Sequence, residues 1–307
     1  MERKENHGFL AGFLLGGGIL AAGILLQVFA GPFPWARLAF PVNAVLLALF
    51  LLLLVLLLAF RSRLRFVAWM LRLEAAVPAL CYCLGLTLVL GLVRQSGEGG
   101  GIPWLSRMLD FWPFVLSYIW LMTLLGLVTL KQVLFFSWRS IPLLLNHLGL
   151  FLALACGALG SPDRQDLFMT VTEGTLATTA EDADGAVHTP GISVELHDFI
   201  MELYPLQPGA RMQMPKRFAS EITLFDREGK VCDAVIEVNK PLKAAGWTIY
   251  QYDYDAQAGP ESRISVLELV RDPWQPFVLA GILMMLCGAL CLFLFMAPRP
   301  KKEEVAR

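Results

Sequence analysis

Apolar residues are gathered into six long stretches that contain no Lys, Arg, Asp or Glu, and short polar connections or one long polar segment separate them. Each stretch exceeds the roughly 18 apolar residues that distinguish a membrane-spanning helix from a buried helix of a soluble protein. The pattern therefore predicts six membrane-spanning α-helices. The predicted spans are Gly8–Ala30, Pro41–Phe60, Ala75–Val93, Phe111–Leu130, Ser140–Gly160 and Pro273–Pro298.

The polar segment from Ser161 to Asp272 follows a different period. Apolar and polar residues alternate in several short runs, and turn dipeptides such as Pro190-Gly191 and Ala245-Gly246 separate them. Alternation with period two is typical of β-strands that bury one face. The segment is therefore predicted to form a small, mainly β domain, an antiparallel sandwich or partial barrel. Within it, the polar residues 177–189 are expected to form a loop.

The distribution of basic residues predicts which side of the membrane each connection occupies. With six spans, twelve Lys and Arg residues lie on the side of the two termini, and the short loops of the other side hold three. Basic residues accumulate in cytoplasmic loops. Both termini are therefore expected to be cytoplasmic, and residues 161–272 to be exported.

These patterns together predict a polytopic α-helical membrane protein with six spans and a small exported mainly-β domain. The expected division is a five-helix transmembrane region over residues 1–160, the exported β-rich domain over 161–272, a sixth transmembrane helix over 273–298 and a cytoplasmic tail over 299–307. The exported segment carries 19 acidic and 10 basic residues, a balance that argues against nucleic acid as a partner.

Among Lys, Arg, His, Asp and Glu residues, His147 alone lies inside a predicted span, in the sequence Leu145-Asn146-His147-Leu148-Gly149. A polar imidazole is costly in hydrocarbon, so such a histidine is a candidate functional residue. Neutral imidazole is a good axial ligand for haem iron. A structural hydrogen bond between helices, helped by Asn146, is the alternative. No sequence motif of a hydrolase or an ATP-driven pump is present, and no catalytic residue is predicted.

The polar segment contains several short motifs, of which the main one, Glu237 to Tyr254, reads Glu-Val-Asn-Lys-Pro-Leu-Lys-Ala-Ala-Gly-Trp-Thr-Ile-Tyr-Gln-Tyr-Asp-Tyr. The others lie at Phe168, Glu173-Gly174, Ile192–Phe199, Leu203-Tyr204-Pro205 and Asp272-Pro273. In this order the motifs resemble those of the ResB family of cytochrome c biogenesis proteins. The family supplies the smaller membrane component of the two-protein System II machinery that delivers haem. The resemblance implies a haem-binding transmembrane histidine, and His147 matches it by position and context.

The resemblance also implies a function. It predicts a subunit of a membrane complex for cytochrome c maturation, with a role in haem delivery across the cytoplasmic membrane and in haem attachment to apocytochrome c. Its partner would be a larger membrane haem-handling subunit with a tryptophan-rich loop, and the chain itself would be at most a non-catalytic subunit of the haem lyase. The alternative is a membrane anchor or electron-transfer subunit, with a b-type haem or a scaffolding exported domain.

Overall fold

The fold, taken from a computed structural model, is described over residues 2–95, 104–205 and 213–295 of the 307-residue chain. Residues assemble into two compact units. The helical unit comprises Met1–Asp163 and Trp274–Arg307, and the β unit comprises Arg164–Pro273. The β unit is thus an insertion between two helices of the helical unit.

Seven α-helices lie in the described part of the helical unit, and six of them are long and apolar enough to cross a membrane. The prediction of six spans is confirmed, and the chain is a multi-pass membrane protein. The seventh, α3, is a six-residue helix in the connection between the second and third spans. The helices are α1 (Glu2–Ala30), α2 (Val42–Ala59), α3 (Arg65–Met70), α4 (Leu73–Leu92), α5 (Trp112–Leu134), α6 (Ile141–Gly160) and α7 (Gln275–Phe295).

Glycines determine how closely the long helices approach one another. A Cβ added at Gly149 of α6 would lie 2.5 Å from the carbonyl oxygen of Gly281 in α7, and one at Gly281 would lie 2.5 Å from that of Gly149. On α1, a Cβ at Gly12 would lie 2.5 Å from the carbonyl oxygen of Glu74. Small residues at helix crossings let backbones pack closely where lipid offers no hydrophobic driving force.

One end of the helical unit is rich in basic residues. The C-terminal ends of α2 and α5 meet there, because the Arg61 guanidinium lies 4.8 Å from the centre of the Phe135 ring. The first half of α6 approaches the last turns of α5 at the same end, where Gln132 contacts His147. We call this the basic end; its described basic residues are Arg61, Arg63, Arg65, Arg72, Lys131 and Arg139.

In the part of the β unit that the structure describes, ten antiparallel strands form two sheets, which confirms the predicted antiparallel β domain. Sheet one has the order β4-β3-β1-β10-β9-β8, and sheet two has the order β2-β5-β6-β7. The alternating apolar side chains of both sheets form one buried core, with Met169 and Leu267 from sheet one and Val194 and Ile236 from sheet two. The strands are β1 (Gln165–Thr172), β2 (Leu176–Ala177), β3 (Ala180–Glu181), β4 (Val187–His188), β5 (Ser193–Leu203), β6 (Pro215–Asp226), β7 (Gly229–Glu237), β8 (Leu242–Ala244), β9 (Trp247–Tyr254) and β10 (Ile264–Arg271).

The expected loop over residues 177–189 instead contains a short hairpin, so that expectation is wrong. Strands β3 and β4 pair with each other, and β3 adds to the edge of β1 through Glu181 and Phe168. The Asp182 carboxylate closes the turn by accepting hydrogen bonds from the backbone amides of Asp184 and Ala186. Local Asp–backbone hydrogen bonds of this kind support a turn without any apolar pattern.

A buried polar cluster joins the two sheets. Ser220 of β6 in sheet two donates its hydroxyl to Gln251 of β9 in sheet one, with an O–O distance of 2.5 Å. Ser265 of β10 lies 2.8 Å from the Ser220 oxygen and 2.9 Å from the Gln251 amide nitrogen. Since a satisfied polar network in a core fixes one arrangement of its members, these three residues determine how the sheets stack.

The turn between β8 and β9 provides a test of the β unit. Ala245 and Gly246 both have positive φ, 50° and 78°, as a two-residue hairpin turn of type I′ requires. The left-handed conformation costs a non-glycine residue about 1 kcal/mol or more, and asparagine tolerates it better than alanine. Ala245→Asn is therefore expected to raise the unfolding midpoint of the purified chain, and Gly246→Val to lower it. Lys243→Ala, on β8, should leave it within experimental error, and equal effects of all three would contradict the turn assignment.

Candidate functional site

His147 lies on α6, six residues after Ile141, the first residue of that helix. At 1.5 Å per residue this places it about 9 Å along the helix from the basic end. Its side chain is half-buried and contacts α5. The imidazole Nδ1 lies 3.0 Å from the backbone oxygen of Leu143 and 3.2 Å from the side-chain nitrogen of Gln132.

We assign the tautomer of the His147 ring from its contact with Leu143. A carbonyl oxygen can only accept, so a hydrogen bond at 3.0 Å requires the proton to be on Nδ1. In the neutral ring the lone pair is then on Nε2. That atom makes no hydrogen bond to the residues that the structure describes. A metal-binding histidine usually has this arrangement. A backbone carbonyl holds the proton on one ring nitrogen, and the other nitrogen keeps its lone pair for the metal.

Gln132 is the polar neighbour of His147, and its amide supports the same tautomer. The buried Gln132 Oε1 has no hydrogen-bond partner among the described residues, whereas Nε2 faces the ring. Turning the carboxamide over exchanges its nitrogen and oxygen, and amide orientation is assigned from such networks. Oε1 then accepts from the Nδ1–H group, and the orphaned buried oxygen gains a partner.

Packing between α5 and α6 places these two side chains together. His147, Phe151 and Leu154 follow one another at intervals of four and three residues and so share one face of α6. The Tyr118 hydroxyl of α5 donates to the Leu154 carbonyl at 2.8 Å, and Phe151 lies against Gly126 of α5. The contact between the helices thus extends from Tyr118 to the basic end.

Asn146 does not take part in this site. Its amide nitrogen donates to the Pro142 carbonyl of its own helix at 2.8 Å and lies beside Gly288 of α7. The structural alternative named for His147, a hydrogen bond between helices, is present as the contact with Gln132. Asn146 does not assist it, because the two side chains leave α6 about 100° apart. The partner that the sequence did not reveal is Gln132. Its polar side chain lies beyond the predicted end of the fourth span at Leu130, but helix α5 continues to Leu134.

A haem group is the cofactor that the resemblance implies, and the residues present fit one protein ligand to its iron. The fit rests on the Nε2 lone pair of His147 within an apolar helix pair. The remaining histidines lie elsewhere: His7 is at the start of α1, and His188 and His197 are in the β unit. Within the described ranges, no group of three or more His, Cys, Asp and Glu residues could hold a metal ion.

The two histidines of the β unit have carboxylate or hydroxyl partners. His188 lies 2.7 Å from Asp182, and this hydrogen bond lowers the pKa of the Asp182 carboxyl. His197 occupies a bulge in β5, and its Nε2 lies 2.7 Å from the Thr223 hydroxyl. Thr223 is in turn 2.6 Å from the Asp233 carboxylate. Both histidines are exposed, and His197 covers the buried Thr223 hydroxyl.

An ion-pair network crosses sheet two where β6 begins and β5 and β7 end. The Arg217 guanidinium of β6 bonds Glu202 of β5 at 3.0 Å and Glu237 of β7 at 2.8 Å. Hydrogen bonds from Lys216 and Arg217 lower the pKa of Glu202, and those from Arg217 and Lys240 lower the pKa of Glu237. Glu237 begins the motif that carries the family resemblance. Its carboxylate therefore ties β7 to β6 before the chain turns into β8.

The comparison with protein families agrees with the motifs described above. Residues 137–262 match the model of the ResB-like family. The ResB-like region begins ten residues before His147, so it includes all of α6, and it ends two residues before β10. It therefore contains the main motif from Glu237 to Tyr254. The pair Asp272-Pro273 lies outside it.

Two further comparisons were made with known proteins. Among solved structures, the chain is similar to "Cytochrome c Heme Lyase CcmF", with 16% sequence identity and a TM-score of 0.35. The similarity covers 92% of this chain and 45% of that one, so the chain spans less than half the length of that protein. A search of the curated proteins returned no match.

Proposed function

We propose that this chain is a subunit of a membrane complex that matures c-type cytochromes and takes part in haem delivery and attachment. The observation that carries the proposal is the geometry of His147. The ResB-like region brings an imidazole into an apolar helix pair, and the Leu143 carbonyl leaves its Nε2 lone pair free. The resemblance of the β unit to cytochrome c biogenesis proteins supports the same function.

In this function His147 would hold haem iron through Nε2. Haem would supply the group that is attached to the cytochrome. The Leu143 carbonyl and the Gln132 amide orient the ring and hold the proton on Nδ1. A larger membrane subunit with a tryptophan-rich loop would supply any further ligand, since among the described residues His147 is the one histidine between α5 and α6. The β unit would dock that partner or apocytochrome c.

The proposal is tested by deleting the gene in the organism that encodes it. We expect covalently haem-stained c-type cytochromes to disappear from membranes, because a complex that lacks one haem ligand cannot hold haem for attachment. Expression of the intact chain from a plasmid should restore them. Normal haem staining in the deletion strain would contradict the proposal. Apocytochrome levels, measured with an antibody, separate failed attachment from failed synthesis.

The proposed topology puts the β unit outside the cytoplasm and the complex in the cytoplasmic membrane, with both termini on the inner side. The exposed turn at Asp184-Gly185 in the β3–β4 hairpin accepts an inserted reporter without breaking a strand. Alkaline phosphatase, which is active only after export, should be active there. The same enzyme inserted after Ser62, at the basic end, should be inactive. The reverse pattern would contradict the topology.

A further inference from the structure

A cavity of about 370 Å³ lies at the basic end of the helical unit. Its walls come from the C-terminal end of α2, from α3 with the turn that follows it, and from the end of α5. Six residues line it: Arg61, Ser62, Ala68, Leu71, Arg72 and Lys131. The cavity therefore combines three cationic side chains and a hydroxyl with an apolar wall.

The positive charges of this cavity are only partly balanced within the described part of the chain. Among the side chains that the structure describes, Glu74 is the one carboxylate within ion-pair range of these cations, and it lies 3.9 Å from Arg72, beyond hydrogen-bond distance. The Arg61 guanidinium lies over the ring of Phe135 and makes no ion pair with a described residue. The Lys131 ammonium group also makes no ion pair with a described residue. The three cationic side chains line one cavity and have a single distant carboxylate nearby, so they repel one another. A bound anion relieves that repulsion.

The surroundings of the cavity are those of a membrane boundary. Leu64, just before α3, and Phe66, in its first turn, are 49% and 53% exposed, and Phe135 beside Arg61 is 58% exposed. These apolar side chains adjoin the ends of membrane-spanning helices, at the level where lipid headgroups meet acyl chains. A ligand that fits both features has an anionic head for the cations and a hydrocarbon tail for the apolar side chains.

We propose that this cavity binds the phosphodiester headgroup of an anionic phospholipid. Arg61, Arg72 and Lys131 contact the phosphate, the Ser62 hydroxyl donates to it, and the acyl chains run along Leu64 and Phe66. Basic pockets between helices on the cytoplasmic side are suited to anionic headgroups. Arginine is adapted to phosphate because its planar guanidinium donates two parallel hydrogen bonds. This inference is independent of the proposed role in cytochrome maturation.

The test uses the full chain in lipid nanodiscs that contain equal amounts of phosphatidylglycerol and phosphatidylcholine. Native mass spectrometry counts the lipids that remain bound. We expect the unmodified chain to retain phosphatidylglycerol about tenfold over phosphatidylcholine, and the triple variant Arg61→Gln, Arg72→Gln, Lys131→Gln to lose this preference. The control is the triple variant Arg63→Gln, Arg65→Gln, Arg139→Gln. It removes three exposed positive charges from the same end, outside the cavity, and should keep the preference for phosphatidylglycerol. Equal loss in both triple variants would overturn the proposal, because diffuse attraction to the basic end would then explain the preference.

A second arm separates a lipid from a free anion. Dioctanoyl phosphatidylglycerol added to the delipidated chain in neutral detergent should raise the unfolding temperature, and inorganic phosphate at the same concentration should not. An equal rise with phosphate would show a site that recognises the anion without a tail and would overturn the lipid assignment. If the triple variant does not fold, Lys131→Gln replaces it, with an expected loss of affinity of about fivefold for one charge. Unchanged retention in Lys131→Gln would also contradict the site.

Discussion

Replacement of His147 by alanine is expected to abolish or shift the haem absorption of the chain purified together with its partner, while the two proteins still assemble. The physical reason is the difference between ligation and packing. Ligation depends on one specific lone pair, that of Nε2, whereas a hydrogen bond between membrane helices contributes only about 0.6 kcal/mol. The loss of the contacts to Leu143 and Gln132 should therefore leave the helical unit folded. The measurement is the visible absorption spectrum of the purified complex.

Two controls make the result specific to the ligand. Asn146→Ala changes the neighbouring residue, which bonds its own helix on the side of α7, and should keep the spectrum. Exogenous imidazole is small enough to enter the space left by the side chain and should restore part of the spectrum and of cytochrome maturation in His147→Ala. If this variant keeps a normal spectrum and normal maturation, His147 has a structural role and the ligand assignment is wrong.

Replacement of Gly149 by leucine is expected to prevent close packing of α6 against α7. Even a Cβ at this position would lie 2.5 Å from the Gly281 oxygen and 2.9 Å from the Met285 nitrogen. Both atoms belong to backbone, which cannot move aside as a flexible side chain can. Overpacking of a close contact costs about 1–3 kcal/mol, and a leucine at a backbone crossing should cost at least the upper value. The measurement is the unfolding temperature and the monodisperse yield in detergent.

Gly157 provides the matched control on the same helix. A Cβ there meets no atom within 4 Å, so Gly157→Leu should change the unfolding temperature by little. A comparable loss in both variants would mean that glycine acts in α6 through helix flexibility and not through the crossing. His147 lies on the α5 side of the helix, not on the side that faces α7. Gly149→Leu should therefore weaken haem retention less than His147→Ala does.

The periodicity of the sequence determined the classes of structure in this protein. Long runs without charge, such as Pro41–Phe60, specify a spanning helix because backbone groups in hydrocarbon must bond within their own segment. Alternation in Ile192-Val194-Leu196 specified a strand with one buried face, and these three side chains are 4% exposed or less. The intramembrane position of His147 also followed from its place in an apolar run. Each of these properties is local, so a window of residues contains the information.

The tertiary structure decided which side chains meet. Gln132 and His147 are 15 residues apart on two helices, and no local pattern joins them. The surroundings of the His147 ring depend on that contact, and the β3–β4 hairpin joins its sheet only where Glu181 pairs with Phe168 of β1. The cavity at the basic end likewise gathers Arg61, Arg72 and Lys131 from three segments. The sequence determined the elements because burial and period are properties of one segment, whereas the sites depend on packing between segments that are distant in the chain.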